Sequence, residues 1–594
     1  MTISSRFLAA LLLCWLAAHG AGAEPPNLDP KVDWAAMQDP KIVVATRVTD
    51  WPEAYPQLWK QALDHREADL QREAADTITR AHQLGMRISA ELRKDLSAAL
   101  VKVLEQPDQR AAARTAAARA LVQIDARQTA ELLASHAARG PLELTQIVEP
   151  ALARWDYEPQ RDVWLQRLSQ GSRPALLRLA AEGLAAVGEA RAIADLSRLA
   201  QGAREPAATR MCAARALADI QRTGLEGIAS QLAKRTGEAS LVDRLVAAHL
   251  LSQHSGEATL ALLEQFASDP EATVAAQAMQ RLLELTPQRL IARAEASLAH
   301  RDARVRRITL EALATNPSPE SIARIAPLLD DPIVQNRVLA RRTLLTMAAD
   351  EKLHSAVVEH TTRVLMKDAW RGDEQAILIL TTLEQRQVGT RYLVMLDHSR
   401  PEVFVTAAWG LRKFAIPELV EPMFAAAQKY GDRIKPEGMA PSPHADLVAH
   451  LHEAMGIMRH APAEAQLRTY IPKGLSDSPR ATAIWSLGLL LQEKPDPQLA
   501  KQLEQRMEDI ASIPPESLPV RSMCAVTLGR MKSEPSLPIL RKWYKTETHN
   551  NYLGRCCGWA IERITGEKLP DADVLHVKPV NWFLEPYEPP ARFP

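Results

Sequence analysis

The stretch "RMCAARALADI", Arg210 to Ile220, paraphrases an earlier one, "RTAAARALVQI", Arg114 to Ile124. Ala, Leu and Arg are strong helix formers. The spacing small-x-x-x-Leu-x-x-Ile puts three apolar residues on one helical stripe. With Leu217 as anchor, the phrase recurs at Ile78, Leu121, Leu152, Leu184, Leu217, Leu250, Met279, Leu310, Leu344, Leu380, Leu411, Met455, Leu487, Leu528 and Ile561. Eleven of the fourteen successive spacings lie between 29 and 36 residues. Each unit also holds an earlier apolar segment, such as "ALVKVLEQ" before Leu121 or "ESIARIAPLLDD" before Leu344. Turn residues separate the two, as at Asp269-Pro270, Asp331-Pro332 and Gly202, because proline cannot continue a helix interior. A pair of short helices repeating near this period cannot bury its apolar face alone. Stacked, such pairs build a continuous core. The expected fold is therefore all-α, a right-handed α-α superhelix of about fifteen helical hairpins spanning residues 55–568.

The "RxxAARAL" second helix and "GWAIERITGE" (Gly558 to Glu567) resemble the HEAT-repeat superfamily, in the short form of bilin-lyase-like HEAT proteins. The resemblance implies that the second helices line a concave groove. It says little about activity, because such repeats serve scaffolds, inhibitors and a few enzymes alike.

The chain has 594 residues, with Lys plus Arg and Asp plus Glu both at 72. No net charge recruits nucleic acid or anionic lipid. Residues 1–23 read as an export signal: Arg6, the apolar "FLAALLLCWLAA" (Phe7 to Ala18), then Ala21-Gly22-Ala23 before Glu24. That run is shorter than the roughly 20 apolar residues of a membrane span, and no later stretch replaces it. The mature chain is expected in a periplasm or the medium. Residues 24–54, with Trp34 and Trp51, read as a cap over the open end of the first hairpin. Gly- and Pro-rich insertions stand at 429–445 and 511–519. Residues 569–594 form a tail with Trp582, Phe583, Tyr587 and Phe593, either folded back over the last repeat or docking a partner.

The residue two before each anchor lies about 160° from it and faces the groove. Among the first ten such positions none is aromatic, whereas Trp409, Trp485 and Trp559 are three of the last five. Aromatic enrichment marks binding surfaces, so these three, with Arg119, Arg215 and Arg342 as a more polar half, are the candidate partner site. The alternative is that the rings pack sideways between helices. Cys524 and Cys557 occupy equivalent positions in adjacent units and are a candidate disulfide, although helix axes about 8–10 Å apart favour buried thiols instead.

His444, His450, His452 and His460 gather in one segment. They support an alternative reading as a metal-dependent enzyme, with His450, His452 and His460 as weak ligand candidates; the reading set against it takes all four as solvated loop and groove histidines. His452-Glu453 is the chain's one His-Glu pair, too few for the di-iron hydroxylases built on this fold. A third reading is a carbohydrate-binding solenoid that stacks sugars on the groove indoles. No zinc helix, nucleophile elbow, phosphate loop or haem-attachment motif occurs. The leading expectation is a non-catalytic exported scaffold, without cofactor, that binds a protein.

Overall fold

The computed structural model describes residues 29–44, 46–52, 54–106, 109–237, 240–436, 442–546, 551–571 and 574–577. The signal segment with its Ala23-Glu24 junction, part of the first insertion and the aromatic tail beyond residue 577 lie outside them.

The chain is an all-α solenoid of helical hairpins, in two compact units: residues 48–312 with 576–594, and residues 1–47 with 313–575. All fifteen anchors fall in the second helix of a hairpin and all are buried. The register also holds at Pro150, which sits inside the helix Leu142–Arg154 while its anchor Leu152 stays in the core. In the first unit one apolar core runs from Tyr55 to Ala312. In the second unit the seven second helices are α1 (Val334–Ala348), α2 (Trp370–Thr382), α3 (Pro401–Phe414), α4 (Pro443–Ile457), α5 (Asp477–Leu490), α6 (Leu518–Arg530) and α7 (Tyr552–Thr565). In the first unit up to Leu285, and from α2 to α7 in the second, successive second helices approach more closely than successive first helices. The second helices therefore form the inner side of each unit. Outside the hairpins, β1 (Arg47–Thr49) pairs with β2 (Leu575–Val577).

Three recurring devices explain why the phrase folds this way. The first ends the second helix. The residue four past the anchor turns left-handed at Asp125, Asp156, Gly188, Glu384, Arg459 and Lys532. The next N–H then donates back to the anchor carbonyl, as from Ala126 to Leu121 at 3.0 Å and from His460 to Met455 at 3.0 Å. That closure satisfies carbonyls the helix end would otherwise orphan.

The second device uses the leading arginine of the phrase, seven before the anchor. Arg114 Nη2 donates to Gln106 O at 2.8 Å, Arg210 Nε to Ala200 O at 3.0 Å, Arg480 Nη2 to Ile471 O at 3.1 Å and Arg521 Nε to Met507 O at 3.0 Å. Each guanidinium ties its own hairpin by donating to a carbonyl at the negative, C-terminal end of the preceding segment.

The third device brings α4 to α7 together. A glycine one past the anchor faces a small residue one before the next anchor: Gly456 meets Ser486, Gly488 meets Thr527, and Gly529 meets Ala560. A Cβ on Gly456 would stand 2.8 Å from the Ser486 Cα, and one on Gly529 would stand 2.7 Å from the Ala560 Cα. The hydroxyls use the proximity: Ser486 Oγ donates to His452 O at 2.8 Å and Thr527 Oγ1 to Ile484 O at 2.7 Å.

The second insertion is anchored, not merely tolerated. It sends Glu516 into the interior, where Arg480 holds it through two bonds of 2.8 and 2.7 Å.

Candidate functional site: an inner groove occupied by the N-terminal segment

The groove-facing positions behave differently along the chain. In the first unit Pro150, Glu182 and Arg215 are exposed there, and Arg119 is half-buried between Asp76 and Glu143, each at 3.2 Å. In the second unit Arg342 is exposed, but Leu378, Trp409, Glu453, Trp485 and Val526 are buried. Over Trp409, Glu453 and Trp485 lie residues 29–43, which run across α3 to α7. Sequence reasoning placed 24–54 as a cap on the first hairpin. Trp51 does pack against that hairpin's core, but the segment before it finds its partners in the inner groove of the second unit.

Most of the grip is on main chain. His450 Nε2 lies 2.9 Å from Pro30 O, Arg412 Nη2 donates to Asp33 O at 2.7 Å, and Glu453 Oε1 accepts from Ala36 N at 2.8 Å. Further on, the Trp485 indole N–H donates to Asp39 O, Arg530 Nη2 reaches the same oxygen at 3.0 Å, and Arg555 Nε donates to Val43 O at 3.2 Å. Side chains are read at two points. Asp33 accepts from the Trp409 indole at 2.7 Å and faces Lys413 at 2.8 Å and Arg412 at 3.2 Å. Asp39 faces Arg530 at 2.8 Å. Between them, Trp34 stacks on His450 with centroids 4.3 Å apart, and Ala35–Met37 makes a single 3-10 turn.

The electrostatics suit a carboxylate at the first point. Burial alone would raise the Asp33 carboxyl, yet the Lys413 bond, Arg412 and the Trp409 N–H outweigh it and hold it at about 2. Beneath it, Arg412 Nη1 also pairs with the fully buried Glu453 at 3.0 Å, so one guanidinium serves both acids. Burial lowers His450. The neutral ring then donates from Nε2 to Pro30 O, which fixes its tautomer.

The structure corrects several expectations. The histidines are not solvated: His450 and His452 are buried and His460 nearly so. Nor do they converge. His452 Nδ1 lies 3.0 Å from Pro479 O with its ring edge-on to Tyr470, His460 packs on Phe424, and His444 stacks on Phe404 and Tyr430. Among the described residues no group of three or more His, Cys, Asp or Glu is placed to hold a metal ion. Cys524 and Cys557 are both buried and are not bridged. Trp409 and Trp485 are 2 % and 1 % exposed, which leaves no open indole face for a sugar ring. Trp559 is half-buried, packed toward Gly529. The groove aromatics were thus visible in the sequence. Arg412, Glu453, His450 and Arg530 as its polar contacts were not, and only their place on the same helical faces signalled them.

No family model matches the chain, and no curated protein does. Among solved structures the fold is similar to Kap95p, in a structure of its effect on the switch loops of RanGDP, with a TM-score of 0.50 at 13% identity over 86% of this chain and 72% of that one. A structure of yeast importin-β (Kap95p) gives 0.44 at 13% identity over the same shares. Among the described residues, no helix is long and apolar enough to cross a membrane.

Proposed function

We propose that this chain is an exported, non-catalytic helical-repeat scaffold that binds protein through the inner face of its hairpins. One observation carries the reading: the inner helices of the second unit already seat a polypeptide segment, bonding to five of its main-chain atoms through six hydrogen bonds. A surface that satisfies the backbone of a segment outside the hairpins in this way is suited to polypeptide, since unpaired backbone groups are costly to cover. Kap95p, named above, acts on RanGDP by binding it, and protein binding by this chain is our inference. Export is supported by Arg6, the apolar Phe7 to Ala18 and Ala21-Gly22-Ala23.

The test compares two photo-crosslinking side chains in the full chain, in its native envelope. One replaces Arg215, exposed on an inner helix. The other replaces Gln265, exposed on a first helix. A discrete protein adduct from position 215 and none from 265 is the expected result. Equal adducts from both, or none from either, would overturn the reading. The intact mass of the envelope form should correspond to a chain beginning at Glu24.

A further inference from the structure

We propose that the inner surface of α3 to α7 is selective for an acidic segment that folds as a run of turns and carries two carboxylates six residues apart, and that residues 29–44 are a resident occupant which a partner segment of the same chemistry displaces. This rests on the scaffold reading and names the class of partner.

The selectivity follows from which contacts depend on side chains. Main-chain bonds at Pro30, Ala36 and Val43 accept any sequence that can follow the same course. Asp33 and Asp39 are different. Asp33 meets an indole N–H, a guanidinium and an ammonium, and Asp39 meets the Arg530 guanidinium. Neutral side chains there would leave Arg412, already shared with Glu453, and the largely buried Arg530 short of a counter-charge. Charge-assisted bonds of this kind are the strong ones.

Exchange follows from how little else holds the segment. Only Pro30, Ala36 and Pro40 are buried, while Val32 and Val43 stand 57 % and 58 % exposed and Met37 44 %. The branched and long apolar side chains Val32, Met37 and Val43 bury little area, so apart from Trp34 on His450 the segment is held mainly by hydrogen bonds and the ion pairs of Asp33 and Asp39. A grip made of polar bonds gives modest intrinsic affinity. Tethering supplies the remainder, because a linked segment sees its site at an effective concentration on the order of millimolar.

The experiment uses a labelled synthetic peptide of residues 29–44 and the full chain carrying Asp33→Ala and Asp39→Ala, which loosens the resident segment and leaves the groove intact. Polarisation should show saturable binding to this variant and at least about tenfold weaker binding to wild type, the loss expected for charge-assisted contacts met by a competitor. A peptide with both aspartates changed to asparagine should bind the variant at least about tenfold more weakly than the acidic one. Equal binding of the two peptides would overturn the acidic selectivity and leave the scaffold reading standing. No binding of either, with helical circular dichroism unchanged, would overturn the proposal. Hydrogen exchange on wild type gives a second readout that does not depend on the variant: excess unlabelled acidic peptide should speed exchange at Ala36 and Gln38, and unchanged exchange counts against displacement.

Discussion

Arg210 and Asp243 stand seven residues before Leu217 and Leu250, and the two side chains form a buried ion pair between neighbouring helices. Asp373 holds the same place before Leu380, one helix on from Arg337, but there the pair is not made. Arg337 turns to Asp331 O at 2.9 Å, and neither Asp373 oxygen has a hydrogen-bond partner among the described residues. Burial, with Asp368 and Asp330 adding to it and Arg391 opposing, pushes the Asp373 carboxyl up to about 6 from 3.8. A carboxyl raised on folding keeps its full contribution below pH 3.8 and loses it as pH climbs through about 6. Asp373→Asn should therefore remove that decline and raise the melting midpoint at neutral pH by about 2–4 °C, with little change at pH 4. Thermal melts of both proteins across pH 4 to 8 check it, and a lower neutral midpoint for the variant would count against the assignment. The arginine seven before the anchor was legible in "RMCAARALADI", but its task was not. Sequence spacing locates a residue on a face; which carbonyl it reaches depends on where the preceding segment ends.

At the scale of the element, helix existence and register were readable because both are local. An apolar stripe renewed near every 32 residues leaves one consistent packing, and each anchor is buried. The helix ends were less legible. Of the six left-handed residues after which the next N–H closes onto the anchor carbonyl, only Gly188 is a glycine, because the stacked hairpin over-determines the turn. Glu384, at φ 54°, should consequently gain from relief of its Cβ. Glu384→Gly is expected to raise unfolding free energy by about 1 kcal/mol in urea titrations. The opposite sign is expected at Gly456, where an added methyl meets the Ser486 backbone. Gly456→Ala should cost about 1–3 kcal/mol, since the close helix pair has to part. Ser486→Ala, which removes only the bond to His452 O, should cost about 1 kcal/mol. A Gly456→Ala change milder than Ser486→Ala would mean that the glycine does not set the helix separation.

Across the whole molecule, the sequence revealed what repeats and concealed what does not. Trp409 and Trp485 could be placed on the inner face by counting back from Leu411 and Leu487. Their occupant could not, because contacts such as Trp409 to Asp33 and Arg530 to Asp39 join residues hundreds of positions apart and carry no periodic trace. The consequence is physical. Stability in a stack of hairpins is approximately a sum of nearest-neighbour terms, and the end units fray first. A segment bonded in turn to α3, α4, α5, α6 and α7 adds a term that ignores neighbour order and ties the last hairpin to the eleventh. Loosening it with Asp33→Ala and Asp39→Ala should broaden the urea transition, as cooperativity falls, and should speed amide exchange in α7 more than in the helix Ala207–Ile220, taken as internal reference. Exchange that rises equally in both helices would mean the substitutions weaken the fold at large. Exchange that rises in neither would make the segment a passenger, because a clamp across five hairpins cannot be released without the outermost one opening more often.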